Sequence, residues 1–171
     1  MRNASQTVNV LDLLTSQHGE VDQLFAQLEA GRGDKAAAFR ELADKLAAHA
    51  TVEEKIFYPA AMQAKTDDML HESVEEHLAV KRLLADMLAL DPEADAAEFD
   101  AKLSVLKENV SHHAHEEEEE KLFPILRKSM SADDLSGLGN EVLALFEQLM
   151  EGEPRNSVPA ETDRAAALPA A

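Results

Sequence analysis

The stretch HATVEEKIFYP, residues 49–59, returns in altered form as HHAHEEEEEKLFP at residues 112–124. Each copy contains a histidine with a glutamate four residues later, and each ends in an aromatic residue followed by proline. The segments upstream also match, since HGEVDQLF at 18–25 is similar to HLAVKRLL at 77–84. Such an internal repeat predicts two equivalent units, each with one histidine on its first segment and a His-x-x-x-Glu on its second.

Apolar residues recur along these segments at intervals of three and four, which predicts helices. Strand signals are scarce, because aromatic residues make up only 4% of the chain. The first predicted helix carries its seam at Leu11, Leu14, His18, Val21, Phe25 and Leu28. Four long helices with short connections favour an all-α fold, an antiparallel up-down-up-down four-helix bundle of two repeated helical hairpins.

The length of the chain suits about one domain, which we predict at residues 1–151. This domain comprises the bundle and a shorter trailing helix, for which Ser131 and Asp134 resemble a capping box. Residues 152–171, GEPRNSVPAETDRAAALPAA, contain three prolines and few side chains that could be buried. We therefore expect a disordered Pro/Ala-rich tail.

Composition limits the partners and the metal ligands. Sixteen Lys and Arg against 34 Asp and Glu give a net charge of −18, which would repel nucleic acid and anionic membranes. No apolar run approaches the roughly 20 residues of a membrane helix, and MRNASQTVNV lacks the apolar region of a secretory signal. We expect a cytoplasmic protein. Since cysteine is absent, a bound metal would require histidine and carboxylate ligands.

Polar residues interrupt the apolar seams at His18, His49, Glu53 and His77. Burying one unpartnered polar group costs about 1 to 3 kcal/mol, and a carboxylate costs more, so these four residues need a common partner. A histidine and a glutamate four apart lie on one helix face and can reach the same metal. Two such pairs and two further histidines suit two bridged ions of iron, manganese or zinc. For Tyr58, beside a seam, packing is the expected role.

The second His-x-x-x-Glu can be placed in two registers. Counting forward along the seam of Phe99, Leu103, Leu106 and Val110 favours His113 with Glu117. Counting back from the C-terminal side favours His115 with Glu119. We prefer the first pair, because more apolar positions define its register, and the second stays open. A one-residue π-bulge within residues 117–122 would reconcile much of the mismatch.

The order His18, His49-x-x-x-Glu53, His77 and His-x-x-x-Glu before LFP resembles the hemerythrin-like HHE cation-binding family, over residues 8–130. The resemblance implies a non-heme centre of two iron ions, bridged by the two glutamates and completed by the histidines. It implies binding of or reaction with oxygen, nitric oxide or peroxide, and an electron-transfer or iron-acceptor protein as a partner. Whether the protein is an enzyme stays open.

Two other functions fit the same residues. One is iron handling, through iron donation for iron–sulfur cluster repair or through ferroxidase and storage activity. The other is a non-catalytic bundle with a structural metal.

One position departs from the oxygen-carrying hemerythrins, which have two histidines four apart on the third helix. Four residues before His77 this chain has Ser73. It therefore offers four histidines where the carriers use five, and it is more similar to repair-type and bacterial hemerythrin-like members. A smaller ligand set leaves more open metal positions, so we expect small-molecule reactivity rather than reversible oxygen carriage.

Overall fold

The computed structural model describes residues 8–170, and this part of the chain contains helices and turns but no strand. The α-helices are α1 (Val10–Glu29), α2 (Lys35–Val52), α3 (Tyr58–Ala61), α4 (Asp67–Leu88), α5 (Ala96–Ser111), α6 (Phe123–Ser129) and α7 (Ala132–Met150). Residues 1–7 of the predicted domain and residue 171 of the predicted tail lie outside the described residues. The all-helical prediction is confirmed. None of the helices in 8–170 is both long and apolar enough to cross a membrane.

Two segments of π-helix interrupt this pattern. The first π segment, Glu53–Phe57, joins α2 to α3, and the second π segment, His112–Leu122, joins α5 to α6. Each is followed directly by a short α-helix with proline in its first turn. The residue before each proline still donates its amide to the π segment, Tyr58 to the carbonyl oxygen of Glu53 and Phe123 to that of Glu118, whereas the proline itself has no N–H to donate. The two repeated sequence stretches therefore adopt the same order of elements.

Short polar residues define where the helices begin. The side chains of Asn9, Asp34 and Ser131 each accept a hydrogen bond from an amide two or three residues later, at 2.9 to 3.1 Å. These bonds satisfy donors that the first turn leaves free. After α1, Gly31 and Gly33 adopt φ values of 62° and 75°, which favour glycine and turn the chain into α2.

Two core clusters flank the histidines. The first core cluster includes Phe25, Phe39, Leu84 and Phe99. The second core cluster includes Leu14, Phe57, Leu70 and Leu122. Helices α1 and α4 pass from the second cluster to the first, whereas α2 and α5, each with its π segment, pass from the first to the second. The polar seam positions lie between the two clusters on all four.

Helix α7 adds to the second core cluster through Leu135 and Val142. It passes so close to the start of α1 that a Cβ on Gly139 would lie 1.7 Å from the carbonyl oxygen of Val8. Only glycine permits this approach. Helix α7 therefore closes the end of the molecule that lies beyond the histidines.

The segment after α7 differs from the disordered tail expected from composition. Residues Pro154–Glu161 form a 3₁₀-helix against α2 and α4, and Val158 is only 2% exposed within the first core cluster. Arg155 pairs with Asp44, and Arg82 donates to two backbone carbonyl oxygens of the segment at 2.9 and 3.2 Å. We call residues 152–170 the C-terminal strap. A few specific contacts order it, and overall composition does not reveal such contacts.

Candidate metal centre

Four histidines from α1, α2, α4 and the second π segment meet between the core clusters. The Nε2 atoms of His18 and His49 lie 3.2 Å apart, and those of His77 and His113 lie 3.1 Å apart. No more than 7% of any of the four residues is exposed. We refer to His18 and His49 as the first half of the site and to His77 and His113 as the second half.

Two glutamates span both halves. One oxygen of Glu53 is 3.0 Å from Nε2 of His49, and its other oxygen is 3.1 Å from Nε2 of His77. Glu118 likewise has one oxygen 3.2 Å from an Nε2 of the first half and the other 3.7 Å from an Nε2 of the second half. Both residues are completely buried. Each carboxylate is thus positioned to bridge two metal ions.

In the first half, Oε1 of Glu53 and Oε2 of Glu118 have no hydrogen-bond donor among residues 8–170. The imidazole nitrogens at 3.0 and 3.2 Å are close enough for ionic contact, but their orientation is not that of a hydrogen bond. Leaving a buried acceptor unsatisfied costs about 1 to 3 kcal/mol. A cation in the first half would satisfy both oxygens at once.

Each imidazole is held from outside the site by an acceptor at its Nδ1. The pairs are His18 with Glu119 at 2.7 Å, His49 with Gln17 at 2.7 Å, His77 with Glu54 at 3.0 Å and His113 with Glu76 at 2.6 Å. These outer acceptors keep a proton on Nδ1 and direct Nε2 inward, as in histidines that bind metals. Two inward Nε2 atoms about 3 Å apart need a proton or a cation beside them, because their lone pairs repel. The donors therefore fit a divalent ion such as iron, manganese or zinc.

In the metal-free protein, protons balance the charge of the buried carboxylates. Burial by itself would lower the pKa of His113, but the charge of Glu118 and the contacts with Glu53 and Glu76 outweigh it and raise that pKa to about 10. The pKa of His18 and that of His77 are also raised, because nearby carboxylates again outweigh burial. A metal ion must displace such protons when it binds.

Tyr58 lies inside the second half, and its hydroxyl contacts the site in addition to the packing role that the sequence predicts. Its hydroxyl donates to Oε1 of Glu118 at 2.9 Å, lies 3.2 Å from Oε2 of Glu53, and is 3.2 and 3.3 Å from the two Nε2 atoms of that half. Complete burial, together with the charges of both glutamates, raises the pKa of Tyr58 well above its ordinary value. The side chain is therefore a neutral phenol that donates to the carboxylate of Glu118 and lies beside that of Glu53.

At the equivalent place in the second repeat, Phe123 has no hydroxyl. Its ring stacks beside His18, with centroids 6.1 Å apart and planes 12° apart, much as the ring of Tyr58 lies 5.5 Å from His77. The first half therefore receives an aromatic wall but no donor. This difference explains why the unsatisfied carboxylate oxygens are both in the first half.

The structure brings together most of the residues nominated from sequence, namely His18, His49, Glu53, His77 and His113. The expected partner of His113 is corrected from Glu117 to Glu118, since Glu118 points into the site. Glu117 instead forms an ion pair with Lys121 outside the site.

The alternative pair, His115 with Glu119, does not enter the cluster either. His115 lies at the surface, with 36% of its side chain exposed, and its Nε2 contacts Asp22 at 3.0 Å. Glu119 contacts the site only from outside, as the acceptor for Nδ1 of His18. Glu119 therefore orients His18, whereas His115, whose ring lies 6.1 Å from that of His18, is not part of the buried cluster.

The second π segment accounts for this correction. A π-helix bonds residues i and i+5 and makes a wider turn than an α-helix, so a residue five positions along the chain comes closer to the same face. His113 and Glu118, five apart, accordingly share one face. The sequence predicted a one-residue π-bulge within 117–122, whereas the π segment spans His112–Leu122 and so changes the spacing within the pair itself. A signal for Glu118 was present in the sequence, because Glu118 precedes Pro124 by six residues just as Glu53 precedes Pro59.

A small cavity adjoins the histidines on the side of the first core cluster. Its volume is about 30 Å³, comparable to that of a single water or diatomic molecule. Its lining includes all four histidines with Val21, Leu46, Val80 and Val110, but not the two bridging glutamates or Tyr58. Asp22 also lines the cavity, and the volume itself suits a molecule of a few atoms.

Residues 9–126 match the family model described as Hemerythrin HHE cation binding domain. A curated protein named DNA nickase, from Nostoc sp. (strain PCC 7120), is 26% identical over 148 residues. That match covers 85% of this chain but 41% of the relative, so the chain spans about two fifths of the relative's length. No solved structure matches.

Proposed function

This chain belongs to the hemerythrin HHE cation-binding family, and from that premise we propose that it holds two iron ions and binds or reacts with oxygen, nitric oxide or peroxide. The observation that carries the proposal is that Glu53 and Glu118 each present one oxygen to each half of the histidine cluster. Imidazole and carboxylate donors suit iron, and two bridging carboxylates suit a pair of ions.

The family premise also supports a more specific architecture. We propose that the helices form an antiparallel up-down-up-down four-helix bundle of two repeated hairpins. In support, the order of the two core clusters reverses from each long helix to the next. This arrangement would place one donor-bearing turn of every long helix at the same level.

The donors divide naturally between two ions. His18 and His49 would hold one ion, and His77 and His113 the other, with the two glutamates shared. Such a pair of irons supplies electrons to a bound small molecule. The chain itself keeps the imidazoles oriented through the outer acceptors and keeps a proton on the Tyr58 hydroxyl beside Glu118.

The 30 Å³ cavity supports a small uncharged ligand. It lies against the histidines and away from the bridging carboxylates, so a molecule in it would approach the side of the ions that the carboxylates leave uncovered. Oxygen, nitric oxide and hydrogen peroxide are within this size class. Larger organic substrates are not.

Partners are proposed from charge and chemistry. An electron-transfer or iron-acceptor protein would be required to renew the oxidation state of the ions or to receive them. The net charge of −18 argues against nucleic acid and anionic membranes. The Nostoc relative is named DNA nickase, but this chain spans only 41% of it, and the charge of this chain does not favour a nucleic acid substrate.

Metal uptake tests the proposal directly. Metal-free protein is titrated with ferrous iron under argon, and bound iron is counted after gel filtration; two irons per chain are expected. Optical spectra then follow the loaded protein during exposure to air, nitric oxide or peroxide, and at least one of these should change the spectrum within the mixing time.

Other outcomes separate the alternatives. Many irons per chain would indicate storage, and transfer of iron to an apo iron–sulfur protein would indicate iron donation. Tightly held zinc, with no spectral response to any of the three molecules, would contradict the proposal and leave a structural metal.

A further inference from the structure

The outer acceptor of His77 is connected to the C-terminal strap. Glu54, which accepts from Nδ1 of His77, is also bound through both oxygens by Nζ of Lys81 at 3.0 and 2.9 Å. The same Nζ lies 2.8 Å from Oε2 of Glu161 in the strap. Only 8% of the Lys81 side chain and 10% of the Glu54 side chain are exposed, against 41% for Glu161. A chain of charged contacts thus runs from the surface to the cluster.

Among residues 8–170, none of the other three outer acceptors contacts a lysine or the C-terminal strap. Glu119 and Glu76 each contact a second histidine, and Gln17 is a neutral amide. Lys81 follows His77 by four residues, and the equivalent position after His18 is occupied by Asp22. The lysine therefore distinguishes the second half of the site from the first.

A buried lysine between two carboxylates divides its charge between them. Burial would lower the pKa of Lys81, but Glu161 and Glu54 outweigh burial and raise it, so the ammonium stays charged. The more of this charge Glu54 receives, the more weakly Glu54 accepts from His77, because a carboxylate neutralised by an ammonium is a poorer acceptor. Glu161 competes for the same ammonium and so strengthens the bond between Glu54 and His77.

We propose that the C-terminal strap controls the strength of the hydrogen bond from Nδ1 of His77 to Glu54. It does so through Glu161, Lys81 and Glu54, three positioning residues that act on the histidine from outside the site. This inference rests on the proposed function, since it takes His77 as a metal ligand. The strap lies beyond residues 9–126, the range that matches the family. Control of His77 from the strap would therefore be a property of this chain rather than of the shared domain.

The charge relation predicts opposite effects for two substitutions. In Glu161→Gln, Lys81 serves Glu54 alone, so the bond from Nδ1 of His77 weakens and its proton resonance moves upfield. In Lys81→Met, Glu54 loses its counter-charge, so the same bond strengthens and the resonance moves downfield. A general loosening of the strap would not move one signal in two directions.

The test is nuclear magnetic resonance of the Nδ1–H protons in the metal-free full chain, whose four site histidines have buried Nδ1 atoms. Asp44→Asn is the matched control, because it weakens the strap at Arg155 without touching Lys81. Opposite shifts of the His77 signal, with the other three signals and the control unchanged, are expected. Glu161 is exposed, so Glu161→Gln should fold, and thermal unfolding of each variant checks this.

The inference is overturned if Glu161→Gln leaves the His77 signal in place, if both substitutions move it the same way, or if Asp44→Asn moves it equally. Iron titration of the same variants gives the second readout, where Glu161→Gln should weaken binding by less than the roughly 10- to 100-fold expected for loss of a direct outer partner. If no protein, including the wild type, takes up iron while the signal shifts remain, the proposed function fails and the charged chain stands.

Discussion

We call the two repeated stretches that end at Pro59 and Pro124 the two arms of the molecule. They differ by one residue in the spacing between the inward histidine and the inward glutamate, and the helix geometry compensates for this difference. In the arm that ends at Pro59, the inward histidine and glutamate are four apart; in the arm that ends at Pro124, they are five apart. In both arms the glutamate precedes the proline by six residues. The longer second π segment takes up the additional residue between His113 and Glu118. Equal donor positions are thus reached with unequal sequence spacing.

The two halves of the site differ in the hydrogen-bond donors that they offer to the buried carboxylates. The hydroxyl of Tyr58 donates to Glu118 and lies 3.2 Å from Glu53 in the second half, whereas Phe123 leaves the corresponding carboxylate oxygens of the first half without a donor. The ligand types of the two halves are alike. The first half needs a cation more than the second, because its carboxylate oxygens have no donor, and we expect it to take up metal first.

The largest effect is expected from the glutamate that the π segment selects. Glu118→Gln should lose at least one of the two irons, because an amide cannot bridge two cations as a carboxylate does. Glu117→Gln, one residue earlier, should retain both, since Glu117 pairs with Lys121 outside the site. Metal analysis after gel filtration measures the difference. Loss of iron from Glu117→Gln, with both irons retained by Glu118→Gln, would return the ligand position to Glu117, and equal iron content would contradict the choice of Glu118 over Glu117.

The next effect is a dependence of metal affinity on pH. The pKa of His113 is raised to about 10, so at neutral pH a metal in the second half must displace its proton. Affinity should rise with pH by about tenfold per unit for each proton displaced, until the pH reaches that pKa. Zinc competition titrations at several pH values measure the slope. A flat profile would show that the second half is not protonated before it is loaded.

A smaller effect should follow from exchanging the two aromatic residues. Tyr58→Phe makes the second half resemble the first, and Oε1 of Glu118 loses its donor, at a cost of about 1 to 3 kcal/mol to the metal-free protein. Thermal unfolding with and without metal measures it, and the cost should shrink once metal satisfies that oxygen. Phe123→Tyr is the converse variant. A cost for Tyr58→Phe that is the same with and without metal would contradict this account.

The smallest effect concerns two outer acceptors that each lie directly before a site histidine in the sequence, Gln17 before His18 and Glu76 before His77. Gln17 serves His49, and Glu76, at the equivalent position, serves His113. Glu76→Gln should weaken metal binding by about tenfold, because a neutral amide makes the imidazole a poorer donor. Gln17→Glu should strengthen it. Opposite changes in metal affinity in the two variants would show that each half responds to its own outer acceptor. Identical changes would indicate a general effect of charge.

Most of the fold followed from local pattern, because helical periodicity is a property of neighbouring residues. A period near 3.6 placed His18, His49, Glu53, His77 and His113 on buried faces, and the structure has them there. The period failed where the backbone changes to π-helix, and the error was one residue, from Glu117 to Glu118. Alignment from the Tyr58-Pro59 and Phe123-Pro124 ends would have located it.

The remaining features depend on contacts between residues distant in sequence. The hydroxyl of Tyr58 lies in the site because four elements converge there, and no local pattern distinguishes it from a packing residue. The C-terminal strap is held by Val158 and by ion pairs to α2 and α4, contacts that span more than 70 residues. Periodicity reports which face of a helix is buried; which groups meet on that face depends on packing among helices.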